Sequence, residues 1–303
     1  MAEIKEMEEY RRFTQPAEIH KAVNSLIGLL EGVKIDSKIN EMELEEVINW
    51  CNLQRRFKKK FPFSEIIPMI DDALEDGVLT AEEIEDILWL CKNVIHEDGF
   101  NIYYDVVTSS LQKLHGIIHG VMADNVLTDE EISRMFDWMS DHEFLKGYYP
   151  FDEIYSLLIA IKTDGVISED EKNMLKAYFG NFIDTRSSYN VNEVEIKKLQ
   201  EQYLVNGICA VDPEIQFEGK VFSFTGTSSR VKRKEISELI NNLGGIFKNN
   251  VTLDTDYLIV GDNGNPCWAF SCYGRKVERA VELRKSGSPI LIVHEADFWD
   301  AVY

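Results

Sequence analysis

Through the first 180 positions apolar residues recur at helical spacing, as at Ile84, Ile87, Leu88 and Cys91, and short polar loops separate the periodic stretches. Helices are expected before the loops as well as after them, for example over 65–74 and 153–161. Beyond residue 214 the period changes. Residues 220–225 (KVFSFT) alternate as a strand, 233–243 form an amphipathic helix stopped by Gly244-Gly245, and 246–250 and 257–260 are strands. A helix over 275–286, a strand over 290–293 and a helix over 295–302 close the chain. Strands alternating with helices imply a mostly parallel sheet covered on both faces. The expected fold is an all-α duplicated helical bundle followed by an α/β domain with a central four-stranded parallel sheet.

The helical part repeats. Four segments share Asp, a turn residue, an aliphatic, a small polar residue and a Glu three positions on; they begin at Asp36, Asp76, Asp124 and Asp164, spaced by 40, 48 and 40 residues. That alternation makes one 88-residue unit copied once. Phe61-Pro62-Phe63 returns as Tyr149-Pro150-Phe151, Trp50 as Trp138 and Gly28 as Gly116, all at the same offset. Asn40, Thr80, Thr128 and Ser168 are expected N-caps, with Glu43, Glu83, Glu131 and Glu171 completing capping boxes. Gly77 and Gly165 supply left-handed residues in two of the loops.

Charge then divides the chain. The net charge is −21, yet residues 214–303 carry eleven Lys and Arg against twelve Asp and Glu, which leaves −20 for residues 1–213. The expected domains are an acidic helical domain over 1–183, a linker containing a helix over 184–213, and a nearly neutral α/β domain over 214–303. The start of the sequence is charged, without a signal-peptide pattern, and no apolar run reaches membrane-spanning length. The five cysteines form no CxxC pair and have no histidine at zinc-finger spacing, so they read as reduced thiols of a cytoplasmic protein.

The acidic loops invite a calcium reading. With Gly77 in the sixth position of an EF-hand loop the third is Leu74, and with Gly165 it is Lys162, so neither supplies the oxygen that such a site needs. A site shared between loops leaves Asp76, Glu83, Asp164 and Glu171 as metal candidates, although helix capping already accounts for the glutamates. The Asp-Gly loops between amphipathic helices, over about residues 20–183, resemble the TerB-like helical domain of tellurite-resistance proteins. That resemblance implies a membrane-stress or DNA-processing association and acidic surfaces able to bind metal. Asp36-Ser37 and Asp124-Asn125 depart from its Asp-Gly form.

In the last third, Phe217, Gly219-Lys220, Phe222, Phe224-Thr225-Gly226, the Gly244-Gly245 turn, the run 255–261 (TDYLIVG) and Trp299 together resemble a BRCT domain. The sub-type is similar to the single modules of bacterial NAD-dependent DNA ligases and of the clamp-loader large subunit. The residues themselves suit an anion. Thr225 offers a hydroxyl at a strand end, Gly226 lets the backbone N–H approach, and Arg233 and Lys276 open two different helices. In the family, the threonine–glycine pair and the lysine opening the second helix form the phosphate pocket, which places that role on Thr225, Gly226 and Lys276. The clamp-loader form adds an arginine in the first helix, the place of Arg233 here. Thr227 and Arg275 complete the candidate phosphate- or DNA-binding set. The segment 262–273 carries Trp268, Phe270 and Tyr273, which either stack on a base or peptide side chain or pack over the neighbouring helix.

Three function classes come into question. The first is a non-enzymatic adaptor binding 5′-phosphorylated DNA ends or nicks in repair or replication, its helical domain engaging an unidentified protein. The second is a phosphoprotein-binding scaffold or, in its place, a metal-binding TerB-like stress-response protein. The third, a ligase, lacks the nucleotidyl lysine motif, zinc cysteines and sufficient length. No cofactor, no catalytic residue and no membrane partner are expected.

Overall fold

The computed structural model describes residues 2–35, 39–97, 100, 102–162, 165–184, 188–203, 209–228, 230–261 and 275–303, with side chains from residue 15 onward. These residues fall into two compact units, one of residues 1–135 with 178–197, the other of 136–177 with 198–303. Residues 136–177, helical-domain residues by sequence, therefore belong to the second unit. Among the described residues no helix is long and apolar enough to cross a membrane.

In the first unit α1 (Ala2–Val33), α2 (Glu41–Gln54), α3 (Phe63–Ala73) and α4 (Ala81–Val94) form the first copy of the repeat, and α5 (Val106–Val121) opens the second. The two copies meet along α1 and α5, which run parallel and in register at the repeat offset. Asn24 Nδ2 donates to Gln112 Oε1 at 2.9 Å. Gly28 lies against Gly116 and Gly32 against Gly120, so that a Cβ on Gly28 would stand 2.0 Å from the Lys113 carbonyl oxygen. Glycine is required here because backbone occupies the space of a side chain.

The loops behave as their composition dictates. Asn40 and Thr80 cap α2 and α4 in reciprocal capping boxes with Glu43 and Glu83. Thr128 and Glu131 exchange the same bonds before α6 (Asp129–Asp141), and Ser168 and Glu171 do so before α8 (Glu169–Phe179). Gly77 and Gly165 adopt positive φ, and Asn125 does so at the equivalent place in its loop. Asn125 also uses its amide, donating to the Asn190 carbonyl at 2.8 Å and accepting from Asn192 N–H at 3.0 Å. Glu46, 1% exposed, accepts from Tyr189 and Asn190 N–H and meets His119 Nε2 at 2.7 Å. Residues 188–192, polar and turn-forming by sequence, are thus strapped onto the bundle. Burial alone would raise the Glu46 carboxyl, but His119, Ser188 and Tyr189 together hold it below its ordinary value. The strap is therefore intact at neutral pH and weakens only as pH falls through that lowered pKa.

In the second unit β1 (Val221–Thr225), β2 (Ile246–Phe247), β3 (Tyr257–Val260) and β4 (Leu291–His294) form one parallel sheet in the order β2-β1-β3-β4. Helices α10 (Arg233–Asn242) and α12 (Glu295–Val302) cover the face lined by Phe222, Phe224, Tyr257 and Ile259. Helix α11 (Arg275–Lys285) covers the other, against Leu258, Val260 and Ile292. Alternation along buried strands sends successive residues to opposite cores, as the pleat requires. Helices α7 (Phe151–Lys162) and α9 (Glu193–Gln202) complete the set of elements.

A buried ion cluster joins α7 to α11. Arg284, 3% exposed, donates to Asp152 at 3.0 Å, to both oxygens of Glu153, and to the Ile290 carbonyl at 2.8 Å. Gly147 N–H adds a bond to Asp152 at 2.9 Å. Two carboxylates face one guanidinium, so burial pushes both carboxyls up against the pull of Arg284. The equivalent residues of the first copy, Ser64 and Glu65, are exposed.

Two outcomes are expected in denaturation experiments. Gly116→Ala should destabilise the chain by about 1–3 kcal/mol, through overpacking between α1 and α5. Helix propensity alone would give a gain of about 1 kcal/mol. Arg284→Met should cost about 3–5 kcal/mol near neutral pH, because it strands two buried carboxylates. Their raised pKa values make that loss smaller under mildly acid conditions, where they can take up protons.

Candidate phosphate-binding site

Strand order decides where this sheet can hold a ligand. The chain leaves β1 toward β2 and β3 toward β4, so the connections from the two adjacent central strands part in opposite directions. In open α/β sheets ligands bind beyond the carboxyl ends of the strands at such a switch point, here β1 and β3. Helices α10 and α11 each run back from this edge, which brings both of their N-terminal turns to it from opposite faces of the sheet.

An unused backbone acceptor lies there. The β1–β2 ladder is made by Ile246 N–H to the Lys220 carbonyl and Lys248 N–H to the Phe222 carbonyl, each at 2.8 Å. Position 250 would supply the next rung, to Phe224, but β2 ends at Phe247. The expected strand over 246–250 is shorter than its composition suggests, because the chain turns at 249–250. Two cations take the place of the missing rung. Arg233 Nη2 donates to the Phe224 carbonyl oxygen at 2.5 Å and Lys276 Nζ to the same atom at 3.0 Å. Among the described residues neither is paired with a carboxylate. Burial, and then the charge of Arg233, holds the Lys276 ammonium below its ordinary pKa. The guanidinium also lies 5.9 Å from the ring centroids of both Phe224 and Phe247.

The threonine–glycine corner borders this pair. Thr225 ends β1 half-buried, its carbonyl accepting from Gly261 N–H at 2.9 Å. Gly226 has φ of +77° and, with Thr227, is exposed. The loop passes so close to β3 that a Cβ on Gly261 would lie 2.4 Å from the Thr227 carbonyl oxygen. Lys232 precedes α10 without a side-chain cap, so the first N–H groups of that helix receive no acceptor from it. Arg275 is exposed at the start of α11 and does not reach the Phe224 carbonyl. Trp268, Phe270 and Tyr273 lie outside the described residues.

The loop is pinned from beneath by a fully buried carboxylate. Glu295 accepts from the Ser228 hydroxyl and, at 2.9 Å, from Trp299 Nε1. Ser228 Oγ in turn receives Arg230 and Val231 N–H at 3.1 and 3.2 Å. The Arg230 guanidinium sits 5.6 Å from the Trp299 ring. Sequence reasoning named Trp299 and the cations but missed Ser228, Glu295 and the Phe224 carbonyl, whose roles depend on packing and on a strand ending early.

This arrangement coincides with a family match: residues 212–286 fit the BRCA1 C Terminus (BRCT) domain. The C-terminal domain is a BRCT domain. Its curated relatives include a DNA ligase of Alkaliphilus oremlandii, 33% identical over 111 residues, which cover 34% of this chain and 15% of the ligase. A DNA ligase of Rubrobacter xylanophilus is 37% identical over 105 residues, 34% of this chain and 13% of the ligase. One of Aquifex aeolicus is 40% identical over 70 residues, 22% of this chain and 10% of the ligase. The chain thus spans only a small part of these ligases' length. No solved structure matches it.

Among the described residues the candidate metal ligands are engaged in local hydrogen bonds. Glu83 Oε2 accepts from both the N–H and the hydroxyl of Thr80, at 2.8 and 2.7 Å, and Glu171 is held in the same way by Ser168. Asp76 accepts Val78 N–H at 2.9 Å, within its own turn. Asp36 and Asp164 lie outside the described residues. Among the described residues no group of three or more His, Cys, Asp or Glu side chains could hold a metal ion. A cavity of about 400 Å³ in the first unit is lined in part by Lys21, Trp50, His115, His119 and Phe182. His119 is engaged by Glu46, while His115 stacks on Phe182, its pKa pushed down to about 4 by burial and Lys21. Cys51 and Cys91 are free and buried, and burial pushes both thiols up to about 12. Cys209 is disulfide-bonded, which corrects the expectation that every cysteine is a reduced thiol; Cys267 and Cys272 lie outside the described residues.

Glu295→Ala should cost about 2–3 kcal/mol, since it leaves the Ser228 hydroxyl and the buried Trp299 N–H unpaired. Chemical denaturation of the full chain measures the loss.

Proposed function

We propose that this chain is a non-enzymatic adaptor whose BRCT domain binds a terminal 5′ phosphate at DNA ends or nicks, in DNA repair or replication. The observation that carries this reading is the pair of cations from two helices sharing one carbonyl oxygen at the sheet's switch point. A phosphate dianion beside Thr225 and Gly226 would receive charge-assisted bonds from both, and N–H bonds from the glycine corner and the start of α10. The relatives matched over this domain are DNA ligases, which favours DNA as the molecule bearing the phosphate. The acidic surface of the helical unit serves a protein partner.

The chain is compared by fluorescence anisotropy on blunt duplexes carrying either 5′ phosphate or 5′ hydroxyl, and on a phosphoserine peptide. Phosphorylated ends should bind at least about tenfold more tightly than hydroxyl ends, a difference of roughly 1.4 kcal/mol. Lys276→Glu and Arg233→Glu should each abolish that preference. Equal affinity for the two ends would refute the reading, and tighter binding of the peptide would transfer the site to a phosphoprotein.

A further inference from the structure

A short stretch of the helical unit runs against its charge. Residues 55–60 read Arg-Arg-Phe-Lys-Lys-Lys, five cations in six positions within a region whose net charge is −20. The run forms a 3-10 turn at Arg55–Phe57 and the corner that leads to cis Pro62. Its backbone is fixed by Lys58 N–H to the Arg55 carbonyl at 3.1 Å and Lys60 N–H to the Phe57 carbonyl at 2.7 Å. Phe57 is 5% exposed and stacks on Phe63 at 5.6 Å, so it anchors the corner in the core. Arg55, Arg56, Lys58, Lys59 and Lys60 are all exposed.

Counter-charge is scarce. Asp71 pairs with Arg55 at 3.3 Å and with Lys58 at 3.0 Å, and Glu18 with Arg56 at 3.6 Å. Among the described residues no other carboxylate pairs with the five cations. The second copy of the repeat shows that the scaffold does not need them. At the 88-residue offset, positions 143–148 read Glu-Phe-Leu-Lys-Gly-Tyr, with the same 3-10 turn at Glu143–Leu145 and the same cis proline at Pro150. Leu145 replaces Phe57 as the buried anchor, while four of the five cations are absent. The basic charge of the first corner is therefore a property added to a fold that closes without it.

We propose that this basic corner is a contact surface for the sugar–phosphate backbone of duplex DNA, separate from the BRCT phosphate site. A dense row of cations on a rigid corner suits a backbone with one charge per about 1.7 Å of helix axis. The run exposes no apolar side chain of its own, whereas the core of a protein interface is apolar. Because it binds phosphodiesters, the corner takes no account of the end group.

The test uses the full chain and a blunt 5′-hydroxyl duplex, followed by anisotropy as NaCl rises from about 50 to about 200 mM. Arg56→Glu/Lys59→Glu should weaken binding at low salt about tenfold or more and lower the slope of log K against log salt by about 2. Arg56→Gln/Lys59→Gln should give a smaller loss with unchanged thermal stability, since exposed pairs contribute little to folding. Arg56→Glu/Lys59→Glu should keep the preference of about tenfold for a 5′-phosphorylated over a 5′-hydroxyl end, which separates the corner from the BRCT site. Wild-type affinity in the Arg56/Lys59 charge-reversal variant would overturn the proposal. So would a loss seen only with polyglutamate or phosphatidylserine vesicles, which would assign the corner to another partner.

Discussion

Two positive charges held on one carbonyl oxygen repel each other, even with Arg233 exposed and Lys276 half-buried. The BRCT domain nevertheless holds Arg233 and Lys276 in this way at Phe224, and burial together with that repulsion depresses the Lys276 ammonium. An anion at the same edge would relieve that repulsion and accept further hydrogen bonds from both donors. The constraint originates in the sheet. Only because β2 stops at Phe247 is the Phe224 oxygen left for side chains, and only at the switch point do two helix starts face the same atom.

The helical part follows a different logic. A duplicated unit has two equivalent surfaces, and here one pair of them meets. Gly28 against Gly116 and Gly32 against Gly120 are contacts between a residue and its own copy, possible because neither has a side chain. The remaining surfaces were free to diverge. The helix start after the cis proline is Ser64-Glu65 and exposed in one copy, but Asp152-Glu153 and buried beneath Arg284 in the other. The corner before it is strongly basic in the first copy and nearly neutral in the second.

Much of this is legible in the chain's residue pattern. Capping residues act within four positions of themselves, so all four Ser/Thr/Asn–Glu pairs are readable, as is the left-handed role of Gly77 and Gly165. Strand and helix order in the last third is equally local, apart from the length of β2. The linker is less transparent. Its polar composition suggests a simple break, whereas Glu46 and Asn125, distant in sequence, bind residues 188–192 through backbone groups that any residue would offer.

Sequence alone determined the duplication, the parallel α/β pattern and the identity of the cations, because each is written in spacing or in residue type. Tertiary structure decided which of those groups share an atom. It brought Arg233 and Lys276 to one carbonyl from opposite faces of a sheet, placed Glu295 beneath the loop, and buried Asp152 and Glu153 on Arg284. The reason is physical. Periodicity reports which side of an element faces a core, but an unpaired backbone oxygen or a shared guanidinium exists only after distant segments have packed and their hydrogen bonds have been assigned.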